Sequence, residues 1–258
     1  ADNELLTLVN PWNELPEDWQ VDLVTLSNGL QIDRRCYDAL QEMMDACREA
    51  GYEPLICSAY RTQETQQDLF NNKVAKLEAG GKSHDEAVQE AGTVVAVPGT
   101  SEHQTGLAID LGRRQEDVDF LCPDFPCEGV CQRFMERAAD YGFVLRYPAG
   151  KEAVTGIAHE PWHFRFVGAP HAGFLAREGL VLEEYIDLLR EHPVGRPLRL
   201  SFRGQAVCIS FLDARALAQA QLLAPEGVPL GVSGNNADGF ILTEWGEAHV
   251  RLAALRGA

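Results

Sequence analysis

The chain has 258 residues, enough for one large domain or a main domain with an appendage, and 45% of them are hydrophobic, so a sizeable core can form and overall disorder is excluded. The formal net charge of −17, from 39 acidic and 22 basic residues, argues against a nucleic-acid or anionic-membrane partner, because both select basic surfaces. No apolar run approaches the roughly 20 residues of a membrane-spanning helix, and the first residue is alanine, as expected after removal of a signal peptide or trimming of the chain.

Apolar periodicity and turn residues predict an alternation of helices and short strands in the first three quarters of the chain. In chain order the predicted elements are a hairpin over 25–32, a helix over 34–50, a strand over 54–61, helices over 62–79 and 84–95, a strand over 107–111, a helix over 128–141, strands over 143–147 and 162–167, and helices over 171–178 and 182–191. Asn28-Gly29 is a typical hairpin turn, Asp33 can cap the following helix, and Ser83 with Glu86 forms a capping box. Short strands among helices indicate an α+β fold.

The segment HPVGRP, at 192–197, predicts a boundary between two regions. Beyond it, 198–213 predicts a β-hairpin and 240–245 a further strand. We therefore expect a main domain over 1–195 and a small, mostly β appendage over 196–258. The expected role of the appendage is to pack against the main domain, with a binding or lid role as the alternative.

Seven cysteines cannot all pair within one chain. Cys122, Cys127 and Cys131 lie close together in CPDFPCEGVC, but no Cys-x-x-Cys pair indicates a zinc knuckle. Free or loop-packing thiols are therefore favoured over a second metal site, while one disulfide within this segment stays open.

The stretch HEPWHFRF, at 159–166, matches the His-Glu-x-x-His signature, in which a helix presents two histidines to zinc and a glutamate acts as general base. Pro161 would lie inside that helix, at a cost of about 3 kcal/mol. The residues that follow alternate between aromatic and polar, which is typical of a strand with His163 and Arg165 on one face. The helical zinc motif is therefore rejected.

A better partner for His163 is found in SEHQTGLAID, at 101–110, which contains a histidine and an aspartate. Their spacing alone is weak evidence, since about one His–acid pair at any fixed spacing arises by chance in such a composition. Thr105-Gly106 can bend the chain so that His103 and Asp110 approach each other. Asp110 lies in the apolar strand LAIDL, where a carboxylate is costly unless it is paired or bound to metal.

Three motifs occur in order: S-x-Y-R at 58–61, S-x-H-x-x-G-x-A-x-D at 101–110 and E-x-W-H at 160–163. Together they resemble the zinc D-alanyl-D-alanine carboxypeptidases related to the vancomycin-resistance enzyme VanY, over roughly residues 20–170. The resemblance implies an α+β fold whose small antiparallel sheet carries the zinc site and is flanked by helices, shared with lysostaphin-type enzymes and the Hedgehog signalling domain. The appendage lies outside it.

The resemblance also implies site residues. One catalytic zinc would be held by His103, Asp110 and His163, with one position left open for water. Glu160 would be the catalytic base, and Arg61 would lie beside the substrate and stabilise the oxyanion. The candidate substrate contacts are Ser58, Tyr60, Gln67, Ser101 and Trp162. Ala59 stands where glycine is common and His159 where an aromatic residue is expected, but neither is a proposed ligand.

The leading function is a D,D-carboxypeptidase that removes the terminal D-Ala from peptidoglycan stem peptides or their precursor. A D-Ala-D-Ala dipeptidase and an L,D-carboxypeptidase of the same fold stay open. A non-catalytic, zinc-bearing wall-binding module is opposed by the presence of both Glu160 and Arg61, and a serine peptidase by the lack of a Gly-x-Ser-x-Gly motif. We expect a monomer in an extracytoplasmic location, without a membrane span in this chain.

Overall fold

The computed structural model describes residues 4–126 and 128–254, and these form two compact units. One unit is Val9–Ala172, and the other combines the described residues up to Leu8 with those from Gly173 onward. The domain boundary predicted at residues 195 and 196 stays a prediction. The two compact units divide between Ala172 and Gly173, before the predicted boundary. The helix predicted over 182–191 therefore belongs to the same unit as the C-terminal strands.

The unit Val9–Ala172 is a mixed α+β structure. Its strands are β1 Leu23–Thr25, β2 Gln31–Asp33, β3 Leu55–Ser58, β4 Ala108–Gly112, β5 Phe143–Tyr147 and β6 Glu160–Phe166. Its helices are α1 Arg34–Glu49, α2 Gln63–Ala79, α3 His84–Gly92, α4 Gly129–Ala138 and the short α5 Glu152–Thr155, with 3₁₀ turns at Glu102–Thr105 and Ala139–Tyr141. Helix α6, Ala169–Glu178, contains the division between the units. The predicted α+β class is confirmed.

A four-stranded antiparallel sheet in the order β3-β4-β6-β5 forms the centre of this unit. Its register places Asp110 of β4 opposite His163 of β6 and, on the other side, opposite Ser58 of β3. Directly opposed residues in an antiparallel pair point to the same face of a sheet. The sheet therefore brings Asp110 and His163 together on one face.

Local sequence signals account for several element boundaries. The buried Asp33 carboxylate caps α1 by accepting a hydrogen bond from the backbone N–H of Arg35 at 2.9 Å. Ser83 and Glu86 form the predicted capping box of α3. Gly106 ends the 3₁₀ turn with φ of +75°, and a Cβ there would lie 2.8 Å from a side-chain carbon of Val21. Glycine is therefore required where the chain bends into β4.

The two faces of β6 differ in chemistry, as its alternation predicted. The buried Phe164 ring packs edge-on against Phe125 and Phe134, with ring centroids 5.6 and 5.4 Å away. His163 and Arg165 alternate with Phe164 and point to the other face. One face of the strand therefore belongs to the aromatic core and the other is polar.

The second unit is mostly β. Its elements are α7 Leu182–Arg190, β7 Leu198–Phe202, β8 Gln205–Asp213, α8 Ala214–Leu217, β9 Ala220–Leu223, β10 Leu230–Gly234, β11 Gly239–Trp245 and β12 Arg251–Ala254. Four strands form an antiparallel sheet in the order β10-β11-β8-β7, and β9 pairs with β12. The predicted hairpin over 198–213 is β7–β8, and the predicted strand over 240–245 is β11.

Six of the seven cysteines lie in the described residues, and all six are thiols, the state that the sequence favoured. Cys127 lies outside the described residues, and so does any disulfide that would involve it. Within 4–126 and 128–254, no helix has both the length and the apolar content needed to cross a membrane.

Candidate metal centre and active site

Three buried side chains from three different elements converge on the polar face of the central sheet. His103 comes from the 3₁₀ turn, Asp110 from β4 and His163 from β6. One nitrogen or oxygen atom from each lies within 4.8 Å of the corresponding atoms of the other two. Two imidazoles and one carboxylate are a donor set that suits zinc. These are the three residues named above as ligands.

Hydrogen bonds orient the two imidazoles around the carboxylate. His103 Nδ1 lies 2.7 Å from the backbone oxygen of Ala59, and its Nε2 lies 3.1 Å from Asp110 Oδ2. His163 Nδ1 lies 3.0 Å from Asp110 Oδ1, and its Nε2 lies 3.3 Å from Glu102 Oε2. The nitrogens that face Asp110 are therefore Nε2 of His103 and Nδ1 of His163. The nitrogen of each imidazole that faces away from Asp110 lies next to another acceptor, the backbone oxygen of Ala59 for His103 and the Glu102 carboxylate for His163. This arrangement is typical of metal-binding histidines, so the three residues fit a metal ion.

The protein shifts the pKa values of all three groups. Burial lowers the pKa of His103 to about 4, and the Arg61 charge acts in the same direction. Burial alone would raise the pKa of Asp110, but His103, His163 and Arg61 hold it well below its usual range. Burial would lower the pKa of His163, but hydrogen bonds to Asp110 and Glu102 outweigh it and raise the value to about 9. Without a metal at neutral pH, Asp110 is thus a carboxylate beside the His163 imidazolium.

This charge state predicts a pH-dependent affinity for zinc. A metal that binds His163 Nδ1 must displace its proton, and a pKa of about 9 means that this proton is present at pH 7. The zinc affinity should therefore rise by at least about tenfold per pH unit between pH 6 and 8, as expected for the release of this proton. Calorimetric titration with zinc in buffers of different ionisation enthalpy measures the release. A zinc affinity that does not change over this pH range would contradict the assignment of His163 as a metal ligand through Nδ1.

Glu160 begins β6 and is buried next to the three converging groups. Its Oε2 atom lies 3.7 Å from His163 Nδ1. Burial raises the pKa of Glu160 to about 8, so that without a metal the carboxyl group is mainly neutral at pH 7. A strongly shifted carboxyl group in a cavity is typical of a functional site.

Arg61 follows β3 and reaches the same group of residues. Its Nη2 atom donates to Asp110 Oδ2 at 2.7 Å, and its Nε donates to Ser58 Oγ at 2.9 Å. Its side chain is 11% exposed, which leaves part of the guanidinium accessible. Ser58 is therefore placed to orient Arg61.

A cavity with about 390 Å³ of empty space, open to solvent, contains these groups. Its polar and aromatic lining consists of Arg61, Ser101, Glu102, His103, Asp110, Tyr147, Glu160, Trp162 and His163. Of the five candidate substrate contacts, Ser101 and Trp162 line the cavity. Ser58 and Tyr60 are half-buried and do not line it.

Gln67 requires a correction, because it is exposed on α2 and donates to Asn71 at 2.8 Å instead of facing the cavity. Its neighbour Gln66 is buried and donates to the backbone oxygen of Ala96, a cavity-lining residue, at 2.7 Å. Among the described residues, Gln66 Oε1 is one of two buried side-chain atoms without a hydrogen-bond partner. The helical periodicity of Gln66, Phe70 and Val74, the buried residues of α2, could have identified Gln66 as the buried glutamine of the pair.

Sequence reasoning missed three cavity or supporting residues: Glu102, Arg146 and Tyr147. Glu102 is fully buried between Arg146 and Arg165, and the Tyr147 ring lies 4.8 Å from the His163 ring, with an angle of 40° between the ring planes. The available signal was Arg146 within the apolar strand FVLRY, since a buried charge requires a partner. Nothing in the sequence identifies that partner as Glu102.

His159 is separate from the metal cluster. It is half-buried, and its Nδ1 lies 2.9 Å from the backbone oxygen of Tyr147. Residues 160–166 form strand β6, so the helical His-Glu-x-x-His arrangement is not formed.

The chain is similar to known proteins. The family model for VanY, D-alanyl-D-alanine carboxypeptidase, matches residues 29–169. A D-alanyl-D-alanine carboxypeptidase of Enterococcus faecalis is 42% identical over 182 residues, which are 70% of this chain and 65% of that protein. The bifunctional D-Ala-D-Ala dipeptidase and carboxypeptidase VanXYC of Enterococcus gallinarum is 42% identical over 53% of this chain and 67% of its own. The chain thus spans somewhat less than two thirds of the length of the first of these relatives.

Two solved structures are also similar. The vancomycin-resistance D,D-dipeptidase VanXYg, in complex with a D-Ala-D-Ala phosphinate analogue, has a TM-score of 0.80 and 34% identity over 93% of each chain. A variant of the D,D-pentapeptidase VanY from the VanB-type resistance cassette, in complex with Zn(II), has a TM-score of 0.63 and 41% identity, over 71% of this chain and 99% of that one.

An antiparallel sheet that joins two imidazoles and a carboxylate, with a second carboxylate and an arginine alongside, is the arrangement expected of a zinc metallopeptidase. The matches identify the group within that class. The chain belongs to the VanY family of D-alanyl-D-alanine carboxypeptidases, which confirms the resemblance seen in the motifs.

Proposed function

We propose that the protein is a zinc-dependent D,D-carboxypeptidase that hydrolyses the terminal D-Ala-D-Ala bond of peptidoglycan stem peptides. The observation that carries the proposal is the convergence of His103, Asp110 and His163 in one cavity with Glu160. A VanY relative that is 41% identical was solved with Zn(II), and another VanY-type structure contains D-Ala-D-Ala.

In this proposal one zinc ion would be held by His103, Asp110 and His163. When bound there, zinc would supply Lewis acidity to a water molecule and a peptide carbonyl, and its charge would favour the ionised form of Glu160. Glu160 accepts the proton of the attacking water and delivers it to the amine of the departing D-Ala. Water is thereby divided between the two products, and no other reactant is needed.

Arg61 stabilises the negative charge that develops on the carbonyl oxygen or the terminal carboxylate of the substrate. Its bond to Ser58 fixes the guanidinium, and its partial exposure leaves it within reach of a ligand. Ser101 and Trp162 are proposed substrate contacts because they line the same cavity. In this proposal residues 196–258 form an appendage of unknown role. The protein is a monomer and lies in an extracytoplasmic location, where peptidoglycan is found.

The test uses zinc-loaded protein with three substrates. Mass spectrometry should detect release of one D-Ala from a stem pentapeptide, and a metal chelator should abolish this release. The tetrapeptide tests the L,D-carboxypeptidase alternative. Free D-Ala-D-Ala tests the dipeptidase alternative, which is included because the D,D-dipeptidase VanXYg is similar over 93% of this chain. Full activity in metal-free protein, or no release from the pentapeptide, would contradict the proposal.

Replacing Arg61 with lysine should lower kcat/KM by about 10²-fold, with zinc retained. Lysine keeps the charge but lacks the planar fork that bonds Asp110, Ser58 and a substrate oxygen together, and the loss of an oxyanion donor costs about this much. Steady-state kinetics measures the loss. The matched control is Arg34→Lys, since Arg34 forms an exposed ion pair with Asp22. Equal kinetics in the two variants would show that Arg61 does not stabilise the charge that develops on the substrate.

A further inference from the structure

A buried ionic cluster lies next to the candidate metal centre. It consists of Glu102, Arg146 and Arg165, and these side chains have no solvent exposure. Glu102 belongs to the 3₁₀ turn that also carries His103, whereas the arginines come from β5 and β6. Removing charges from water costs several kcal/mol per ion unless they are paired with good geometry. The protein thus buries three charged side chains beside the candidate metal centre, although burying them costs free energy.

The two oxygens of the Glu102 carboxylate have different partners. Oε1 accepts hydrogen bonds from Arg146 Nε and from Arg165 Nη1, both at 2.8 Å. Oε2 lies 3.3 Å from Nε2 of His163. Two charge-assisted bonds to one oxygen hold the carboxylate in a single orientation. In that orientation its second oxygen is directed at the imidazole.

The opposite nitrogen of His163 faces the metal cluster, where Nδ1 lies 3.0 Å from Asp110 Oδ1. A neutral imidazole that carries its proton on Nε2 donates it to Glu102 and presents the Nδ1 lone pair to a metal. The opposite tautomer would leave Nε2 and the carboxylate as two facing acceptors. The cluster therefore selects one tautomer of His163 and one ring orientation.

We propose that Glu102 is a positioning residue for the metal centre, which fixes the Nε2–H tautomer of His163 and is itself immobilised by Arg146 and Arg165. The proposal rests on the proposed zinc site and adds a role for residues that do not contact the metal. It also explains why the two histidines use different nitrogens. His103 has a backbone oxygen, that of Ala59, beside Nδ1 and presents Nε2, whereas His163 has Glu102 beside Nε2 and presents Nδ1.

The first test is made on the wild-type protein and does not depend on a variant. Nitrogen NMR of histidine-labelled, zinc-loaded protein distinguishes protonated from metal-bound ring nitrogens. His163 is expected to carry its proton on Nε2, and His103 on Nδ1. A His163 ring with its proton on Nδ1, or with no proton on either nitrogen, would overturn the role of Glu102.

The second test compares zinc affinities by competition with a chromophoric chelator. Glu102→Gln should bind zinc 10- to 100-fold more weakly, the usual effect of losing a partner of a metal ligand. The matched control is Glu244→Gln, because Glu244 is also buried and accepts from the backbone amides of His249 and Val250. Its zinc affinity should equal that of the wild type. Circular dichroism establishes that each variant is folded.

The outcomes separate this inference from the proposed function. Wild-type protein that binds no zinc contradicts both. Wild-type protein that binds zinc, together with a folded Glu102→Gln variant whose affinity is within twofold of it, overturns only the role of Glu102. If Glu102→Gln does not fold because Arg146 and Arg165 lose the negative charge between them, the tautomer measured in the wild type decides whether Glu102 has the proposed role.

Discussion

Replacing Glu160 with glutamine is expected to lower kcat by about 10²- to 10⁴-fold, which is the usual contribution of a positioned general base. Glutamine has nearly the same shape as glutamate but cannot accept the proton of the attacking water. Glu160 borders the metal cluster, 3.7 Å from His163 Nδ1, and is outside the proposed ligand set. The variant should therefore bind zinc as well as the wild type, while D-Ala release from a pentapeptide falls.

The control for this prediction is Glu152→Gln, which removes an exposed carboxylate at the start of α5. It should leave both zinc binding and turnover unchanged. Zinc content and kcat are measured on the same preparations of each variant. Turnover near the wild-type level in Glu160→Gln would show that Glu160 is not the base, and a loss of zinc would show that it is a ligand.

His103→Ala and Asp110→Ala are each expected to abolish tight zinc binding and, with it, activity. A catalytic zinc site has three protein ligands, and the removal of one leaves too few to hold the ion. Asp110 also accepts from Arg61, so its removal further leaves a buried guanidinium with one partner fewer. Metal analysis after dialysis against a weak chelator should detect about one zinc per chain in the wild type and almost none in these variants.

His159→Ala is the matched control, because it removes another histidine close to Glu160 in sequence. Its Nδ1 lies next to a backbone oxygen, and the ring lies outside the metal cluster. This variant should keep zinc and substantial activity. The ligand assignment would be overturned if folded His159→Ala lost zinc while His103→Ala kept it. That result would favour the hypothesis that His159 and His163 are the zinc ligands.

Much of the site was determined by local sequence. Pro161 prevents a helix at 159–163, and the alternation that follows it specifies a strand with His163 and Arg165 on one face. Gly106 allows the bend between His103 and Asp110, because the bend requires a positive φ, which glycine adopts without strain. These conclusions depend on backbone geometry within a few residues, so they could be reached without knowing the fold.

Local sequence patterns gave less information about which side chains contact each other at the site. Gln66 and Gln67 are adjacent and chemically identical. The spacing of Gln66 from Phe70 and Val74 indicates which of the two is buried, but only the packing of α2 decides that Gln66 bonds to the backbone oxygen of Ala96. Ser58 was expected to contact the substrate, and the sequence did not indicate that its hydroxyl also accepts a hydrogen bond from Arg61. A side chain's partner depends on what packs against it, and single-sequence patterns do not contain that information.

Pairing between distant segments was decided by the tertiary structure alone. The β4–β6 register places Asp110 opposite His163, 53 residues away, and a shift of one residue would send one of them to the other face. The Glu102 cluster likewise joins a turn to two strands, with its arginines 44 and 63 residues further along the chain. The residue types of the site follow from the sequence, whereas the hydrogen bonds that orient them arise only when the sheet brings these segments together.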